Sequence, residues 1–395
     1  MNDKVPVTLI SGFLGSGKTT LLSNISHKTT DLKIGVIVND MAELNIDGSM
    51  VKNQFFSETE EKLVQMQNGC ICCTLREDLL IEVKRLVEKG DLDYIVIESS
   101  GISEPIPVAQ TFTYIDEEMN IDLTSITRLD TLVTVVDANS FWDDYASGDN
   151  LLERNLALDE TDRREVIDLL IDQIEFANVI LLNKVDLLEE TDLLELENLL
   201  YKLNPEAKII RTKYSNVPLE EIFNTNLFDF EKASESAGWI KELNGEHTPE
   251  TEEYGISSFV YRKRRPFHPT RFMNWMENWP LDVVRAKGFF WLATRNDMVG
   301  MLSQAGNSVS IQGAGEWVAS LPEIEREQII AEDPELLNRW DEKYGDRITE
   351  IVFIGVEMDQ QTIEKSLEKC LLTVEEMATD WSSFEDPVPA FVVAE

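Results

Sequence analysis

Basic side chains and histidines are scarce in this chain of 395 residues. Its 35 lysines and arginines stand against 74 aspartates and glutamates, which gives a formal net charge of −39, and it has only 3 histidines. Nucleic acids and anionic membranes bind proteins through basic patches that replace counterions. We therefore expect neither nucleic acid nor membrane among the partners of this protein.

Long apolar runs and disulfide patterns are also missing. No uncharged stretch is long enough to span a bilayer, and the start, "MNDKVPVTLISGFLGSG", lacks the basic lead and the long apolar run of a signal peptide. The chain has 4 cysteines, and three of them are clustered. In a reducing compartment such clusters bind metal or carry out redox chemistry more often than they form disulfides. We expect a cytoplasmic protein.

Short apolar runs recur through the first half of the chain, and helical patterns separate them. The runs are "VPVTLIS", "IGVIVN", "YIVIES", "TLVTVVD" and "NVILLN". Runs that are hydrophobic on both faces are typical of buried parallel strands. Alternation of such strands with helices predicts a P-loop type, doubly wound and mostly parallel α/β sheet over residues 1–225.

The pattern changes after an acidic stretch at residues 226–253, which we interpret as a linker. Residues 254–380 show a strand, a helix and two strands, then an acidic helical insertion, and then a final strand and helix, so that without the insertion the order is β-α-β-β-α with a strand opening the last pair. This order resembles a ferredoxin-like split βαβ unit. It predicts a smaller α+β domain at the C-terminal end.

The stretch "GFLGSGKT", residues 12–19, follows a predicted strand and opens a predicted helix. This is the context that a P-loop requires, in which backbone N–H groups and a helix N-terminus surround phosphate. We expect Lys18 to neutralise the β- and γ-phosphates and to be catalytic, and the Thr19 hydroxyl to bind Mg²⁺. The predicted phosphate-binding residues are Gly12, Gly15, Ser16, Gly17, Lys18, Thr19 and Thr20.

The stretch "NKVD" follows the predicted strand "NVILL" and indicates how the base is recognised. The Asp186 carboxylate can accept from the N1–H and the 2-amino group of guanine, which adenine does not present. Asn183 can bond the other base edge, and the Lys184 stem can lie along the ring face. Together with the P-loop, this pattern predicts GTP as the nucleotide.

A third phosphate-facing candidate is "ESSG" at the end of the run "YIVIE". Glu98 is placed to hold Mg²⁺ through water or to orient the attacking water, and we predict a catalytic role for it. Gly101 could offer its amide to the γ-phosphate. Asp137, at the end of "TLVTVVD", is a rival for the metal-facing role, and either residue could instead be an ordinary carboxylate at a strand end.

Cys70, Cys72 and Cys73 lie together in "NGCICCTLREDLL", directly before a predicted helix. A helix N-terminus stabilises thiolate, the form that binds metal. Three thiolates can bind Zn²⁺ or Cu(I) and leave one position open, which suits metal transfer. A fourth ligand could be Glu43, Asp47 or water. Buried structural cysteines and a redox switch are the alternatives.

Several of these motifs, taken in order, carry a family resemblance. The stretches are "GFLGSGKTT", "NDMAELNID", "GCICC", "ESSG", "NKVD" and "RPFHPTRF". Together they resemble the CobW family of P-loop GTPases, and more narrowly its zinc-associated members. The resemblance implies a GTP-hydrolysing zinc metallochaperone that delivers zinc to client proteins, with a C-terminal domain like that of the family.

The scarcity of histidine bears on this resemblance. Many relatives carry a histidine-rich segment, whereas this chain has only His27, His247 and His268. A role in zinc storage is therefore not expected, and His268, between Pro266 and Pro269, is interpreted as a structural turn residue.

Two other functions stay open from the sequence. A GTPase of this kind could insert another metal or cofactor, such as cobalt for a corrin ring. Alternatively, the chain could be a non-catalytic adaptor that uses the nucleotide only as a structural switch.

Overall fold

The computed structural model describes residues 4–29, 32–39, 63–66, 74–89, 92–113, 121–154, 156, 164–229, 232, 237, 240–241, 243 and 255–391. The chain divides into two compact units, Met1–Gly238 and Trp239–Glu395. The finer division into residues 1–225, 226–253 and 254–380 stays a prediction.

The described part of the first unit contains a parallel sheet of seven strands. Their order across the sheet is β3-β2-β4-β1-β5-β6-β7, and every neighbouring pair is parallel. The predicted doubly wound parallel sheet is thereby confirmed. The strands are β1 Val5–Ser11, β2 Ile34–Asn39, β3 Leu63–Met66, β4 Tyr94–Glu98, β5 Thr127–Asp137, β6 Val179–Asn183 and β7 Lys208–Arg211. The helices are α1 Lys18–Lys28, α2 Thr74–Glu88, α3 Pro105–Gln110, α4 Phe141–Ala146, α5 Val166–Glu175 and α6 Glu190–Leu203.

Burial on both faces explains the continuous apolar runs. Every residue of β4 and β6 is buried. Ile95 and Ile97 of β4 belong to the same core cluster as Leu80 of α2. Val96 belongs to a second core cluster, which it shares with Leu21 of α1. Because helices cover both faces, the loops at the carboxyl edge of the sheet are left to form a site.

A buried carboxylate, Asp130, lies at a register shift between β1 and β5. It accepts hydrogen bonds from the Tyr94 hydroxyl at 2.7 Å and from the Thr225 backbone N–H at 3.0 Å, and it pairs with Arg128. Burial by itself raises the pKa of Asp130, but hydrogen bonds from donors that include Tyr94 and Arg128 outweigh it and lower the pKa below its ordinary value. The carboxylate thus anchors the segment that follows β7.

The second unit contains an antiparallel sheet of five strands among the residues that the structure describes. The strand order is β11-β10-β9-β12-β8, and each neighbouring pair is antiparallel. β8 and β9 therefore run in the same direction on either side of β12, and a helix joins them, which confirms the predicted split βαβ unit. The elements are β8 Ile256–Lys263, α7 Pro269–Met276, β9 Val283–Phe290, β10 Met298–Ala305, β11 Ser308–Glu316, α8 Glu323–Glu332, β12 Thr349–Val356 and α9 Gln360–Glu368.

Helix α7 packs on this sheet through an aromatic core. Phe272 and Trp275, three positions apart on α7, are buried in the core cluster of the unit. His268 precedes the helix, where its backbone N–H donates to the Cys370 carbonyl at 2.8 Å, and its ring lies 4.8 Å from that of Phe384. These contacts support the interpretation of His268 as a structural turn residue.

The helices within the described ranges include none with the length and apolar character that crossing a bilayer requires.

Candidate functional site

The loop between β1 and α1 needs three glycines. Gly12, Gly15 and Gly17 have φ angles of 135°, 79° and 113°, which side chains rarely adopt. A Cβ atom added at Gly12 would lie 2.3 Å from the Val135 carbonyl oxygen, and one at Gly17 would lie 2.5 Å from Nδ2 of Asn183. The loop therefore packs closely against β5 and β6. With α1 following it, this is the arrangement that the P-loop pattern predicts.

Lys18 folds back over this loop. Its ammonium group donates to the Gly12 carbonyl at 2.8 Å and to the Phe13 carbonyl at 3.2 Å, and the residue is only 7% exposed. The buried hydroxyl of Ser16 has no hydrogen-bond partner among the described residues. A cation and an unpaired donor at a helix N-terminus suit a phosphate ligand. Thr20 lies exposed in the first turn of α1.

The structure brings Thr19 and Glu98 together. The Thr19 hydroxyl donates to Oε1 of Glu98 at 3.5 Å, and Glu98 ends β4, the neighbour of β1, where it pairs with Ile10. A hydroxyl and a carboxylate are hard oxygen ligands of the kind that Mg²⁺ prefers. The two predicted Mg²⁺-facing residues therefore fit one ion.

Gly101 lies against the P-loop. A Cβ atom added to it would lie 2.7 Å from Cδ2 of Leu14 and 2.9 Å from the Leu14 backbone nitrogen. The main chain after "ESS" can approach the loop this closely only because residue 101 has no side chain.

The Asn183 side chain forms hydrogen bonds with other residues of the protein. Its Nδ2 donates to the Ser16 carbonyl at 2.9 Å, and its Oδ1 accepts from the Thr212 hydroxyl at 3.1 Å and from the Ser215 backbone N–H at 2.8 Å. The Ser215 hydroxyl donates to the Gly17 carbonyl at 2.9 Å. Asn183 thus ties β6, the P-loop and the loop after β7 together, and its contact with the base stays a prediction.

Lys184 and Asp137 form an ion pair at the ends of β6 and β5. The lysine has φ 62°, and its ammonium group lies 2.5 Å from Oδ2 of Asp137. Asp137 also accepts from the Asn139 backbone N–H and from the Ser140 hydroxyl, both at 3.1 Å. Asp137 is thus paired with Lys184, whereas Glu98 contacts Thr19. Of the two carboxylates, Glu98 is therefore better placed to face Mg²⁺.

Asp186 lies in a short turn, Val185–Leu187, directly after β6, where it is exposed. An exposed carboxylate at this position is available to a base. Replacing Asp186 with asparagine is expected to weaken GTP binding about 100-fold or more and to shift preference towards xanthine nucleotides. The reason is that an amide can donate to the 2-oxo group, whereas a carboxylate can only accept.

The measurement is the affinity of each variant for guanosine and xanthosine diphosphates. Asp192→Asn, which changes an exposed carboxylate in the first turn of α6, is the matched control. Unchanged guanine affinity and selectivity in Asp186→Asn would show that the base is recognised elsewhere.

The proposed thiolate ligands lie outside the described residues. These are Cys70, Cys72 and Cys73, and the same holds for the candidate fourth ligands Glu43 and Asp47. Within the ranges that the structure does describe, no group of three metal-binding side chains is found. The described elements on either side are β3, which ends at Met66, and α2, which begins at Thr74. The cysteine motif therefore connects the carboxyl end of a parallel strand to a helix, as the P-loop does.

The chain matches known families over both units. Residues 6–211 match the nucleotide-binding domain of the CobW/HypB/UreG family, and residues 256–371 match the C-terminal domain of the cobalamin synthesis protein CobW.

Curated relatives carry names that concern zinc. The zinc-regulated GTPase metalloprotein activator 1 of Dictyostelium discoideum is 46% identical over 98% of this chain and 84% of its own length. The zinc chaperone CobW of a Sinorhizobium species is 36% identical over 47% of this chain and 52% of its own length, so the match spans about half of that relative. Among solved structures, the Zn(II)-bound YjiA GTPase of E. coli is 21% identical, with 94% of this chain and 100% of that chain covered at a TM-score of 0.42.

Proposed function

The chain belongs to the CobW family of P-loop GTPases, and we propose that it is a cytoplasmic zinc metallochaperone that delivers zinc to client proteins under the control of GTP hydrolysis. Membership rests on the match of residues 6–211 and on the relative that is 46% identical over 98% of the chain. It confirms the predicted family and the predicted class of GTPase. Zinc as the cargo, the client and the cytoplasmic location belong to the proposal.

The zinc cargo is supported by the chain's own thiols together with the names of its relatives. Three cysteines within four positions precede α2, where free N–H groups favour thiolates. Relatives of the chain are named for zinc regulation and zinc delivery. Because a site with three thiolates can leave a fourth position open, it suits transfer of the metal to another protein.

The described residues supply the nucleotide half of this mechanism. GTP phosphates would accept hydrogen bonds from the loop N–H groups and from Lys18, which would exchange the Gly12 and Phe13 carbonyls for phosphate oxygens. Thr19 and Glu98 would hold Mg²⁺, which would neutralise charge on the phosphates. Glu98 would also orient the water that attacks the γ-phosphate.

The order of the strands supports a link between nucleotide and zinc. β3, β2, β4 and β1 are neighbours in the sheet and run in parallel, so the loops that leave their carboxyl ends share one edge. With strands about 4.8 Å apart, β3 and β1 lie roughly 14 Å from each other. Loss of the γ-phosphate commonly releases loops that phosphate and Mg²⁺ had held, and we infer that such a release withdraws a zinc ligand. Hydrolysis would then loosen zinc.

This coupling can be measured directly. Zinc affinity, determined by competition with a chelator in the presence of Mg²⁺, is expected to be about tenfold higher with a non-hydrolysable GTP analogue than with GDP, which corresponds to about 1.4 kcal/mol. By linkage, zinc must favour the analogue over GDP by the same factor. An adenine nucleotide pair provides the control and should give no difference.

Equal zinc affinities in the two guanine nucleotide states would contradict gating by hydrolysis. A preference for cobalt over zinc would favour insertion of another metal, and a failure to turn over GTP more than once would favour the adaptor function.

A further inference from the structure

A buried glutamine on α5 holds the segment that follows "ESS". Nε2 of Gln173 donates to the Gly101 carbonyl at 3.3 Å and to the Ser103 carbonyl at 3.1 Å, and the residue is only 1% exposed. A side-chain amide carries two N–H groups, so one glutamine can hold two carbonyls. The two bonds therefore fix three consecutive residues of this segment.

Gln173 is itself fixed to the sheet. The Thr134 hydroxyl of β5 donates to the Gln173 backbone carbonyl at 2.7 Å. Arg164, just before α5, also bonds this segment. Its guanidinium donates to the Ile102 carbonyl and to the Glu104 carboxylate, both at 3.3 Å. Donors from the α5 side thus reach three successive carbonyls, those of residues 101 to 103.

The opposite side of this segment is the P-loop. Gly101 approaches Leu14 so closely that an added Cβ atom would lie 2.9 Å from the Leu14 backbone nitrogen. Leu14 and Gln173 also line one small cavity together with Thr134. Residues 101–103 are therefore bonded by donors from the α5 side, and Gly101 packs against the P-loop.

We propose that Gln173 is a positioning residue that holds residues 101–103 against the P-loop, so that the Gly101 N–H is ready for the γ-phosphate. This proposal rests on the proposed function. The γ-phosphate is the part by which GTP differs from GDP, and a donor that is already in position binds it without a cost of reorganisation. Replacement of Gln173 should therefore lower the affinity for GTP more than the affinity for GDP.

Gln173→Met tests this because methionine has a similar length and no donor. We expect affinity for a non-hydrolysable GTP analogue to fall about tenfold, since two hydrogen bonds are lost, while GDP affinity stays within about twofold. Under saturating GTP, kcat should fall as well. Arg164 lies at a partly exposed position. Arg164→Ala is expected to lower the ratio of analogue affinity to GDP affinity as well, but by a smaller factor.

Asn204→Ala is the matched control. Asn204 is also a buried amide, and its Nδ2 donates to the carbonyls of Ile174, Glu175 and Ala177 at 2.9, 3.1 and 2.8 Å. It touches neither residues 101–103 nor the P-loop in these bonds, so its loss should lower stability without changing the ratio of analogue to GDP affinity. An equal loss of both affinities in Gln173→Met, or no loss of either, would overturn the proposal.

Hydrogen exchange in the nucleotide-free protein separates this proposal from the proposed function. Faster exchange of the amides at residues 101–104 is expected in Gln173→Met and not in Asn204→Ala. Unchanged exchange would overturn the positioning role even if GTP hydrolysis is confirmed. If the wild-type chain binds no guanine nucleotide, the proposed function fails, and the exchange result still decides whether Gln173 holds the segment.

Discussion

Replacing Lys18 with alanine is expected to lower kcat/KM for GTP hydrolysis by about two to three orders of magnitude, the usual cost of removing a donor that stabilises developing charge. Lys18 is the first residue of α1, and its ammonium group lies against the P-loop carbonyls of Gly12 and Phe13. It is therefore already at the loop that would receive the β- and γ-phosphates. Steady-state phosphate release measures the loss.

Lys28→Ala is the matched control for this change. Lys28 ends the same helix, and its ammonium group donates to Asn216 and to the Val217 carbonyl, both at 2.7 Å. Its replacement should leave kcat/KM near the wild-type value. Zinc binding should stay measurable in Lys18→Ala, because the thiols are different residues. Turnover at the wild-type rate in that variant would show that the P-loop prediction is wrong.

The P-loop could be predicted because its determinants are local. Glycine spacing, the preceding apolar strand and the following helix all lie between Val5 and Lys28, so the sequence contains the whole element. The separate predictions that Thr19 and Glu98 face Mg²⁺ needed only the further rule that neighbouring parallel strands end at the same edge of a sheet.

Three of the described strands were not predicted from the sequence, and the structure gives a physical reason for each. β3 and β7 lie at the two edges of the parallel sheet, and each has only four residues, too few for a clear pattern. β10 includes Gly300, and glycine weakens a strand signal. A Cβ atom added there would lie 2.4 Å from the Phe290 ring, so the glycine is needed for packing that only the folded chain reveals.

Residues that contact the site but lie far from it in the sequence were not predicted either. Gln173 contacts residues about 70 positions earlier in the chain, and Ser215 contacts Gly17 across 198 positions. Neither belongs to a motif, because each acts through a contact that the tertiary fold creates. The signal available in the sequence was a buried polar residue inside an apolar helix, "VIDLLIDQIE", which requires partners.

Asn183 shows that the "NKVD" motif has a structural role in addition to the predicted one. The sequence predicts a contact with the guanine base, and the structure gives the Asn183 amide contacts to Ser16, Thr212 and Ser215. Asp186, which is predicted to recognise the base, lies three residues after an asparagine that hydrogen-bonds to the phosphate loop. A change at Asn183 would therefore disturb both the phosphate loop and the loop after β7, which makes Asp186 the cleaner test of base specificity.

Serine in place of Cys70, Cys72 and Cys73 is expected to abolish tight zinc binding, with a loss of at least about 1000-fold in affinity, since thiolate ligands supply most of the binding energy at sites of this kind. A serine hydroxyl stays protonated at neutral pH and is a harder ligand, so it cannot replace a thiolate. The effect of zinc on GTP binding should vanish together with zinc binding, because the two are linked reciprocally. Chelator competition and analogue titration measure the two losses.

Cys370→Ser is the matched control for this last prediction. Cys370 is buried in the second unit, and burial, only partly offset by Arg271, raises the pKa of its thiol to about 11. It therefore stays a neutral thiol at physiological pH, and its replacement should leave both zinc affinity and the coupling to GTP intact. Tight zinc binding that survives the triple serine variant would move the metal site away from the Cys-x-Cys-Cys motif. Zinc binding that is lost while GTP hydrolysis continues at the wild-type rate would show that the nucleotide site works without its cargo, as expected if hydrolysis controls zinc instead of depending on it.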